Sequence, residues 1–297
     1  MIKLEGVETF LTIAEQGSLS EAARALGVSR SVVSDRLAEL ERELDTRLIQ
    51  RTTRRLTLTE DGKAFLARGK RICQEITDAT AEIAERQGEL RGPLRLSAPV
   101  SFGVLHLGPA LYPFLALHAG IQLSLDLDDR FVDAEADGYD AVIRHGPVRD
   151  NWLVAIRLAP SARMLVASPA YIEARGRPTG VADLHDHRAI LYTNRAVDWR
   201  FSGPDGDAIV RPRHAMRVNS GIVMRDAAVA GLGIALLPSF LIHAELSDGR
   251  LNRIDVGLEP ESAEVHLAYS KAQPPSTKLR ALIDHLQTTF ESQPWTR

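Results

Sequence analysis

A short run of hydrogen-bonding residues directly after Val28 carries side chains suited to reading the edges of nucleic-acid bases. Arginine donates in a fork that matches O6 and N7 of guanine, and serine hydroxyls bond to bases or phosphates. Arg30 is therefore the first candidate for a base contact. Asp35 could accept from N4 of cytosine, and a solvated charge is its alternative role. The run contributes five candidate DNA contacts: Ser29, Arg30, Ser31, Ser34 and Asp35.

Two predicted helices joined by a tight turn would present this run. Ser18-Leu19-Ser20-Glu21 is a capping box, which satisfies the free N–H groups at a helix start. Gly27 would end that helix, because glycine takes a positive φ without steric cost, and Ser29 can cap the next one. The second helix then has one apolar stripe, which leaves the polar run on its opposite face, as in a helix placed in the major groove. The stripe consists of Val33, Leu37, Leu40 and Leu44.

Helix pairs around a glycine also occur in hairpins that never touch DNA, so the flanking segments matter. Upstream, a third helix is predicted from the stripe of Leu4, Val7, Leu11 and Ala14. Downstream, residues 48–58 predict a two-stranded wing with the candidate contacts Arg51, Thr52, Arg54 and Arg55. Arginines there would bind phosphates or the minor groove, whereas the alternative is a solvated basic hairpin. Beside the helix pair, the segment favours a winged helix-turn-helix over 1–60.

Composition places the chain among ordinary globular proteins. Its 297 residues suggest about two domains, with 44% hydrophobic and 25% charged residues. The overall charge of −3 contrasts with residues 46–71, which hold eight basic and two acidic side chains. Cys73 is the single cysteine, which excludes an intrachain disulfide, and a buried small hydrophobe is favoured over a redox sensor. The first residues resemble no signal peptide, and a cytoplasmic protein without a membrane partner is expected.

A heptad stripe marks the following segment, 61–91, as a linker helix that dimerises. Such a narrow stripe is poorly buried by one helix alone, although packing on its own domain is the alternative. Two copies would present two DNA-binding heads to a roughly two-fold symmetric site. The predicted seam consists of Phe65, Gly69, Ile72, Ile76, Ala79 and Ile83.

The chain resembles the LysR-type transcriptional regulators, most specifically over residues 1 to about 65. The resemblance implies a regulator that binds double-stranded promoter DNA as a homodimer or homotetramer, with RNA polymerase as a further candidate partner. At two positions of the reading face the chain departs from the common family pattern, having Arg30-Ser31 and Asp35. The matching residues are Phe10, Gly17, Ser18, Ala22-Ala23, Leu26, Val28-Ser29, Ser34, Leu40-Glu41, Leu44, Leu48, Arg51, Leu58-Thr59 and Gly62.

Beyond residue 92, short apolar strands alternate with helices, which predicts an α/β domain with a mostly parallel sheet. This part resembles the LysR-type effector domain, a fold like that of two-lobed periplasmic solute-binding proteins. The resemblance implies an effector-binding domain over 92–297. Its first lobe would comprise 92–164 and 267–297, and its second 165–266. The resemblance rests on LRLSAP at 94–99, DAVIR at 140–144, SPAYIEARGRP at 168–178, Asp183-Leu184 with His187, and AAVAGLGIALLP at 227–238.

An effector would lie between the lobes, at the carboxyl ends of the strands. Ser101 with Phe102, and Asn219 with Ser220, each follow a strand and open a helix. Helix N-termini favour anions, so these residues predict a carboxylate-bearing effector, while plain helix capping is the alternative. Arg144 would add charge or line the hinge between the lobes.

The chain offers no anchor for catalysis, because P-loop, Gly-x-Ser-x-Gly and His-Glu-x-x-His motifs do not occur in it. His185 and His187 are too few for a metal site, and no cofactor is expected. The sequence therefore predicts a non-enzymatic, effector-controlled DNA-binding regulator. The alternative is a cytoplasmic small-molecule-binding or enzymatic α/β protein with a helical appendage that does not read DNA.

Overall fold

The computed structural model describes residues 1–51, 56–85, 90–130, 137–148, 150–194, 198–203, 206–261, 263–272 and 274–296. At residues 51, 74, 78, 81, 82, 84 and 85 it describes the backbone alone. The chain divides into two compact units. Met1–Gly92 forms most of the first, and nearly all of the chain from Pro93 onward forms the second.

The first unit packs three short helices and a two-stranded wing against a long helix. Its elements are α1 (Leu4–Gln16), α2 (Leu19–Ala25), α3 (Arg30–Glu43), β1 (Ile49–Arg51), β2 (Leu56–Leu58) and α4 (Glu60–Glu85). Ser18 Oγ caps α2 by accepting the N–H groups of Ser20 and Glu21. The reciprocal half of the predicted capping box is not formed, because the Glu21 carboxylate binds Arg24 instead. Gly27 has a φ of 66° in the turn, as its position after the helix predicted.

The second unit contains two five-stranded sheets, each covered by helices. The first lobe has the strand order β4-β3-β5-β15-β6 and the second β11-β8-β12-β7-β13. The first sheet comprises β3 (Arg91–Ala98), β4 (Gly120–Leu127), β5 (Ala141–His145), β6 (Leu153–Pro160) and β15 (Glu264–Ser270). The second comprises β7 (Arg163–Ala167), β8 (Arg188–Tyr192), β11 (Arg213–Val218), β12 (Ile234–Pro238) and β13 (Asn252–Arg253).

Helices and a small third sheet complete this unit. The helices are α5 (Val100–Phe102), α6 (Gly108–Leu117), α7 (Pro169–Arg175), α8 (Gly221–Val229), α9 (Ser239–Ser247) and α10 (Thr277–Glu291), with 3₁₀ turns at Val181–His185 and Pro294–Thr296. The third sheet, ordered β10-β9-β14, comprises β9 (Trp199–Ser202), β10 (Ala208–Val210) and β14 (Glu259–Pro260). This sheet was not predicted from the sequence.

The prediction of a mostly parallel sheet is wrong, because both sheets are mixed. In the first lobe β3 pairs with β5 in parallel, but β15 pairs antiparallel with both β5 and β6. In the second, β11, β8 and β12 are parallel, and β7 pairs antiparallel with β12. The chain passes from the first lobe to the second just before β7 and returns just before β15. Neither strand therefore follows a helical crossover within its own sheet, which a parallel pairing would require, and both pair antiparallel with their neighbours.

The pairing of β7 and β15 also moves the predicted lobe boundaries. All seven residues of β15 pair in the first sheet, so a boundary between 266 and 267 would cut this strand. Likewise β7 begins at Arg163 in the second sheet, ahead of the predicted boundary at 164. The hydropathy pattern does not reveal these lobe boundaries, because a buried strand has the same apolar sequence whichever sheet it joins.

The helical segment Val100–Leu117 runs through α5, a π-helical turn at Gly103–Leu107, and α6. By length and hydropathy this segment could cross a membrane, whereas the sequence alone predicts no membrane span because no run approaches about 18 apolar residues. In the fold it packs on the first lobe, where Leu107, Leu111 and Phe114 are buried. A core helix of this kind passes the same hydropathy test as a membrane span.

Candidate nucleic-acid interface and effector cleft

Helix α3 has one buried face and one exposed face, as its apolar spacing predicted. Val33, Leu37 and Leu40 are buried in the core of the first unit. Arg30 and Asp35 are exposed on the other side. A helix held by one buried stripe, with exposed hydrogen-bonding side chains on the opposite face, has the architecture required for insertion into the major groove.

The serines at the start of α3 are partly committed to its cap. Ser29 Oγ accepts the Val32 N–H at 3.3 Å, and it also lies 2.8 Å from Ser31 Oγ. Ser34 is half-buried, and it has interactions of its own within the molecule. The Arg30 guanidinium forms no ion pair within the described residues. Arg30 is therefore the best placed of these residues to extend toward a base.

Asp35 does not bind the neighbouring Arg36. Arg36 binds Glu5 of α1, with 2.9 Å between Nη2 and Oε2, so its partner is not Asp35. Asp35 itself is exposed and makes no ion pair among the described residues. Its role as a base contact stays a prediction.

The wing is attached to the end of α3 by a carboxylate. Oε1 of Glu41 accepts the backbone N–H groups of Leu48 at 2.8 Å and Ile49 at 3.1 Å. β1 then pairs antiparallel with β2, which places Ile49 opposite Leu58. The predicted wing strands are thus present. Of the predicted wing contacts, Thr52, Arg54 and Arg55 lie outside the described residues, as does the side chain of Arg51.

The predicted dimer seam on α4 divides into two parts. Phe65 packs edge-on against Phe10, with ring centroids 5.6 Å apart, and Gly69 lies against Leu11 and Val7 of α1. These two residues belong to the core of their own unit, so their assignment to the seam is wrong. The reason is that α1 supplies the apolar partner that the heptad analysis assigned to a second copy.

The rest of the predicted seam is solvent-facing in the single chain. Ile72, Ile76 and Ile83 are 45%, 44% and 66% exposed, and Ala79 is exposed with them. Cys73, by contrast, packs against the core of the unit, and burial raises the pKa of its thiol. The thiol form is therefore favoured, as expected for a cysteine that acts as a small hydrophobe.

In the second unit, the helices that follow β3 and β11 begin next to each other where the two lobes meet, and this junction is called the cleft below. Ser101 lies in the first turn of the helix after β3, and its hydroxyl faces Gly221 at the start of α8 in the other lobe. A Cβ on Gly221 would lie 3.1 Å from Ser101 Oγ. The predicted convergence of the two helix N-termini is therefore observed. Ser220 Oγ caps α8 by a long contact of 3.5 Å with the Val223 N–H, and Asn219 beside it is exposed.

Phe102 does not line the cleft, so its assignment as an effector contact is wrong. It is 1% exposed and packs edge-on against Phe240, Phe290 and Trp295. A helical residue next to a cleft residue points about 100° away, which here directs Phe102 into the core. Arg144 lies on β5, opposite His266 of β15, and is half-buried. Its contact with an effector stays a prediction.

A carboxylate that the sequence analysis missed stands in the cleft. Asp129 follows β4, and its Oδ1 accepts the N–H of Val100 at 3.0 Å, which caps the helix that contains Ser101. Tyr192, at the end of β8 in the other lobe, hydrogen-bonds to the same carboxylate. The predicted anion site at this helix start is therefore occupied by the chain's own anion. The signal available in the sequence was Asp128-Asp129 directly after a strand.

Electrostatics at Asp129 are dominated by desolvation. Burial raises the pKa of the Asp129 carboxyl above its usual range, against the opposing effect of the hydrogen bonds from Val100 and Tyr192. The pKa of Tyr192 is raised as well, by burial and by the neighbouring charge of Asp129. Burial is the largest cause of the shift at both residues.

Comparison with known proteins agrees with this architecture. Residues 4–63 match the bacterial regulatory helix-turn-helix of the lysR family, and residues 87–291 match the LysR substrate binding domain. The chain belongs to the LysR family of transcriptional regulators. As a LysR-family regulator it carries a DNA-binding helix-turn-helix and a two-lobed effector-binding domain, as its sequence predicted.

Relatives align with this LysR-family regulator along almost its whole length. PtxR of Pseudomonas aeruginosa is 30% identical over 99% of this chain and 95% of its own. A regulator of Xanthomonas campestris is 32% identical over 94% and 83%. Among solved structures, the full-length virulence activator AphB of Vibrio cholerae has a TM-score of 0.62 and 27% identity, covering 96% of this chain and 98% of its own. CrgA of Neisseria meningitidis has a TM-score of 0.61, 26% identity and coverages of 96% and 97%.

Proposed function

We propose that this LysR-family protein reads an operator through α3, with Arg30 as its principal base contact. The observation that carries the proposal is the exposed Arg30 on a helix whose opposite face is buried by Val33, Leu37 and Leu40. An exposed arginine at the first turn of such a helix can reach guanine O6 and N7 in the major groove. Affinity would come from phosphate contacts, to which the predicted wing arginines Arg51, Arg54 and Arg55 belong.

We propose further that two copies bind together, through the exposed isoleucines of α4. Ile72, Ile76 and Ile83 stand at heptad spacing, and each is at least 44% exposed in the single chain. A second copy of α4 would bury them, and the resulting pair would match an operator with approximate two-fold symmetry. A tetramer built from such dimers, acting on RNA polymerase in the cytoplasm, extends the same proposal.

The effector-binding domain is proposed to hold a carboxylate-bearing small molecule beside Asn219 and Ser220. Asn219 is exposed in front of α8, a nine-residue helix whose N-terminal dipole favours an anion. Ser220 makes only a 3.5 Å capping contact, so its hydroxyl retains hydrogen-bonding capacity. By linkage, such an effector changes DNA binding only if it favours one arrangement of the heads over another. The proposal includes no catalytic step.

The experiment that tests this function is fluorescence-anisotropy binding to DNA upstream of the protein's own gene. The wild type, Arg30→Ala and the charge-matched control Arg200→Ala, exposed on β9 of the effector-binding domain, are titrated across a salt series. We expect tight, sequence-dependent binding by the wild type and the control, with a steep salt dependence. Equal affinity for scrambled DNA would overturn specific recognition, and no binding at low salt would overturn DNA binding itself.

A further inference from the structure

The carboxylate of Asp129 is half-buried, and no cation among the described residues neutralises it. It accepts hydrogen bonds from Val100 and Tyr192, but it forms no ion pair with any residue that the structure describes. Arg130 donates to both carboxylate oxygens of the neighbouring Asp128, at 2.6 Å from Nη2 to Oδ2 and 3.2 Å from Nε to Oδ1, so that arginine already has an anionic partner. Since a buried charge is costly unless it is paired, this carboxylate favours a positive ligand.

Asp129 stands at the cleft rather than in the core of one lobe. Its main-chain carbonyl lies 3.5 Å from Nδ2 of Asn194, which follows β8 in the other lobe. Together with the contact to Tyr192, this places the carboxylate between the carboxyl ends of β4 and β8. A group bound there would touch both lobes at once, which is the position from which a ligand influences their arrangement.

We infer that Asp129 selects effectors that carry a protonated amine. The amine would donate to the carboxylate sites that Val100 and Tyr192 leave free, and it would supply the missing positive charge. A carboxylate placed at the same point would instead meet a like charge in a poorly hydrated setting. This inference rests on the proposed effector function and refines it. The carboxylate proposed beside Ser220 would belong to the same molecule, which is then amphoteric.

The test compares linear compounds of two to six carbons in three series: monocarboxylates, monoamines and ω-amino carboxylates. Each compound is added to the full-length protein at equal ionic strength, and the shift of the unfolding midpoint is measured. The variants are Asp129→Asn and the control Asp284→Asn, which removes an exposed carboxylate on α10 of the same unit. We expect amine-bearing compounds to stabilise the wild type and the control. Asp129→Asn should raise their half-saturating concentrations at least tenfold.

Several results would overturn the inference. Stabilisation of the wild type by monocarboxylates to the same extent as by amines would do so, as would an amine response that survives Asp129→Asn unchanged. The absence of any amine response in the wild type would also contradict it. The comparison of series within the wild type remains decisive if Asp129→Asn fails to fold. Operator binding, measured on the same preparation, distinguishes failure of the amine inference from failure of the proposed function. A loss of sequence-specific DNA binding contradicts the proposed function, whereas the inference about Asp129 is decided by the amine response alone.

Discussion

Glu41, in the last turns of α3, accepts the backbone N–H of Leu48 with its carboxylate at 2.8 Å. The same oxygen accepts the N–H of Ile49 at 3.1 Å, and both of these residues are buried. One side chain thereby fixes where the wing starts relative to the helix that carries Arg30. The two elements that would contact DNA are joined by a hydrogen-bonded link as well as by the chain.

Removing that link should loosen the first unit. Glu41→Ala leaves two buried N–H groups without an acceptor, and we expect a loss of roughly 1–3 kcal/mol in the free energy of unfolding. Glu41→Gln retains an acceptor and should lose less. Thermal unfolding followed by circular dichroism, with operator affinity measured in parallel, checks this. Equal stability of the alanine variant and the wild type would contradict the structural role.

Arg30→Ala should relax sequence preference more than it lowers general DNA affinity. If Arg30 binds a guanine, the loss is about 1–3 kcal/mol on the preferred operator and is concentrated at one base position. Selection of binding sites from a randomised DNA pool, performed with the wild type and the variant, measures this. An unchanged preference at every position would remove Arg30 from base recognition.

Ile76→Glu should weaken association of the two copies. The residue is 44% exposed in the single chain, so the charge is tolerated in the monomer but not in an apolar seam. Light scattering should show a shift toward the monomer, whereas the conservative control Ile76→Leu keeps the dimer. An unaltered dimer in Ile76→Glu would contradict the proposed seam.

The opposite pattern is expected at Phe65, where substitution by alanine should lower the stability of the single chain because its ring packs on Phe10.

Glu245 should be one of the most sensitive positions in the second lobe. The residue is 4% exposed, and its Oε1 lies 3.4 Å from Nε of Arg225 and 3.3 Å from Nη2 of Arg250. Glu245→Ala removes the buried partner that Arg225 and Arg250 share and leaves Arg225 with the exposed Asp226 alone, at 3.0 Å, and we expect a loss of roughly 1–3 kcal/mol in the free energy of unfolding. The matched control is Asp248→Ala, which removes the exposed partner of Arg250 and should change stability little. Urea unfolding of both variants tests the contrast.

Stability should fall as pH drops below the ordinary histidine range. Burial lowers the pKa of His106, although the carbonyl of Phe240 that it contacts acts in the opposite direction. Burial also lowers the pKa of His187, which bonds to Tyr171. The unfolded chain therefore takes up protons from about pH 6.5 downward before the folded chain does, so folding weakens in that window. Unfolding midpoints measured from pH 7.5 to 5 should decrease, and His106→Gln should flatten the slope.

Local sequence signals determined the helix-turn-helix and much of its candidate interface. Caps at Ser18 and Ser29, the positive φ at Gly27 and the stripe through Val33 depend on neighbours a few residues away. These features survive in any tertiary context that buries the stripe. The α/β domain and most of its strands were likewise predicted from short apolar strands that alternate with helices.

Tertiary structure decided which partner each apolar or polar residue meets. The heptad pattern of α4 could not show that Phe65 and Gly69 pack on α1 while Ile76 faces solvent, because a stripe has the same spacing whatever covers it. The sequence also could not assign β15 to the first sheet, because strand pairing over long sequence separations leaves no local pattern. Asp129 and Tyr192 are 63 positions apart in the printed chain, and only the folding of two lobes brings that acid into the cleft.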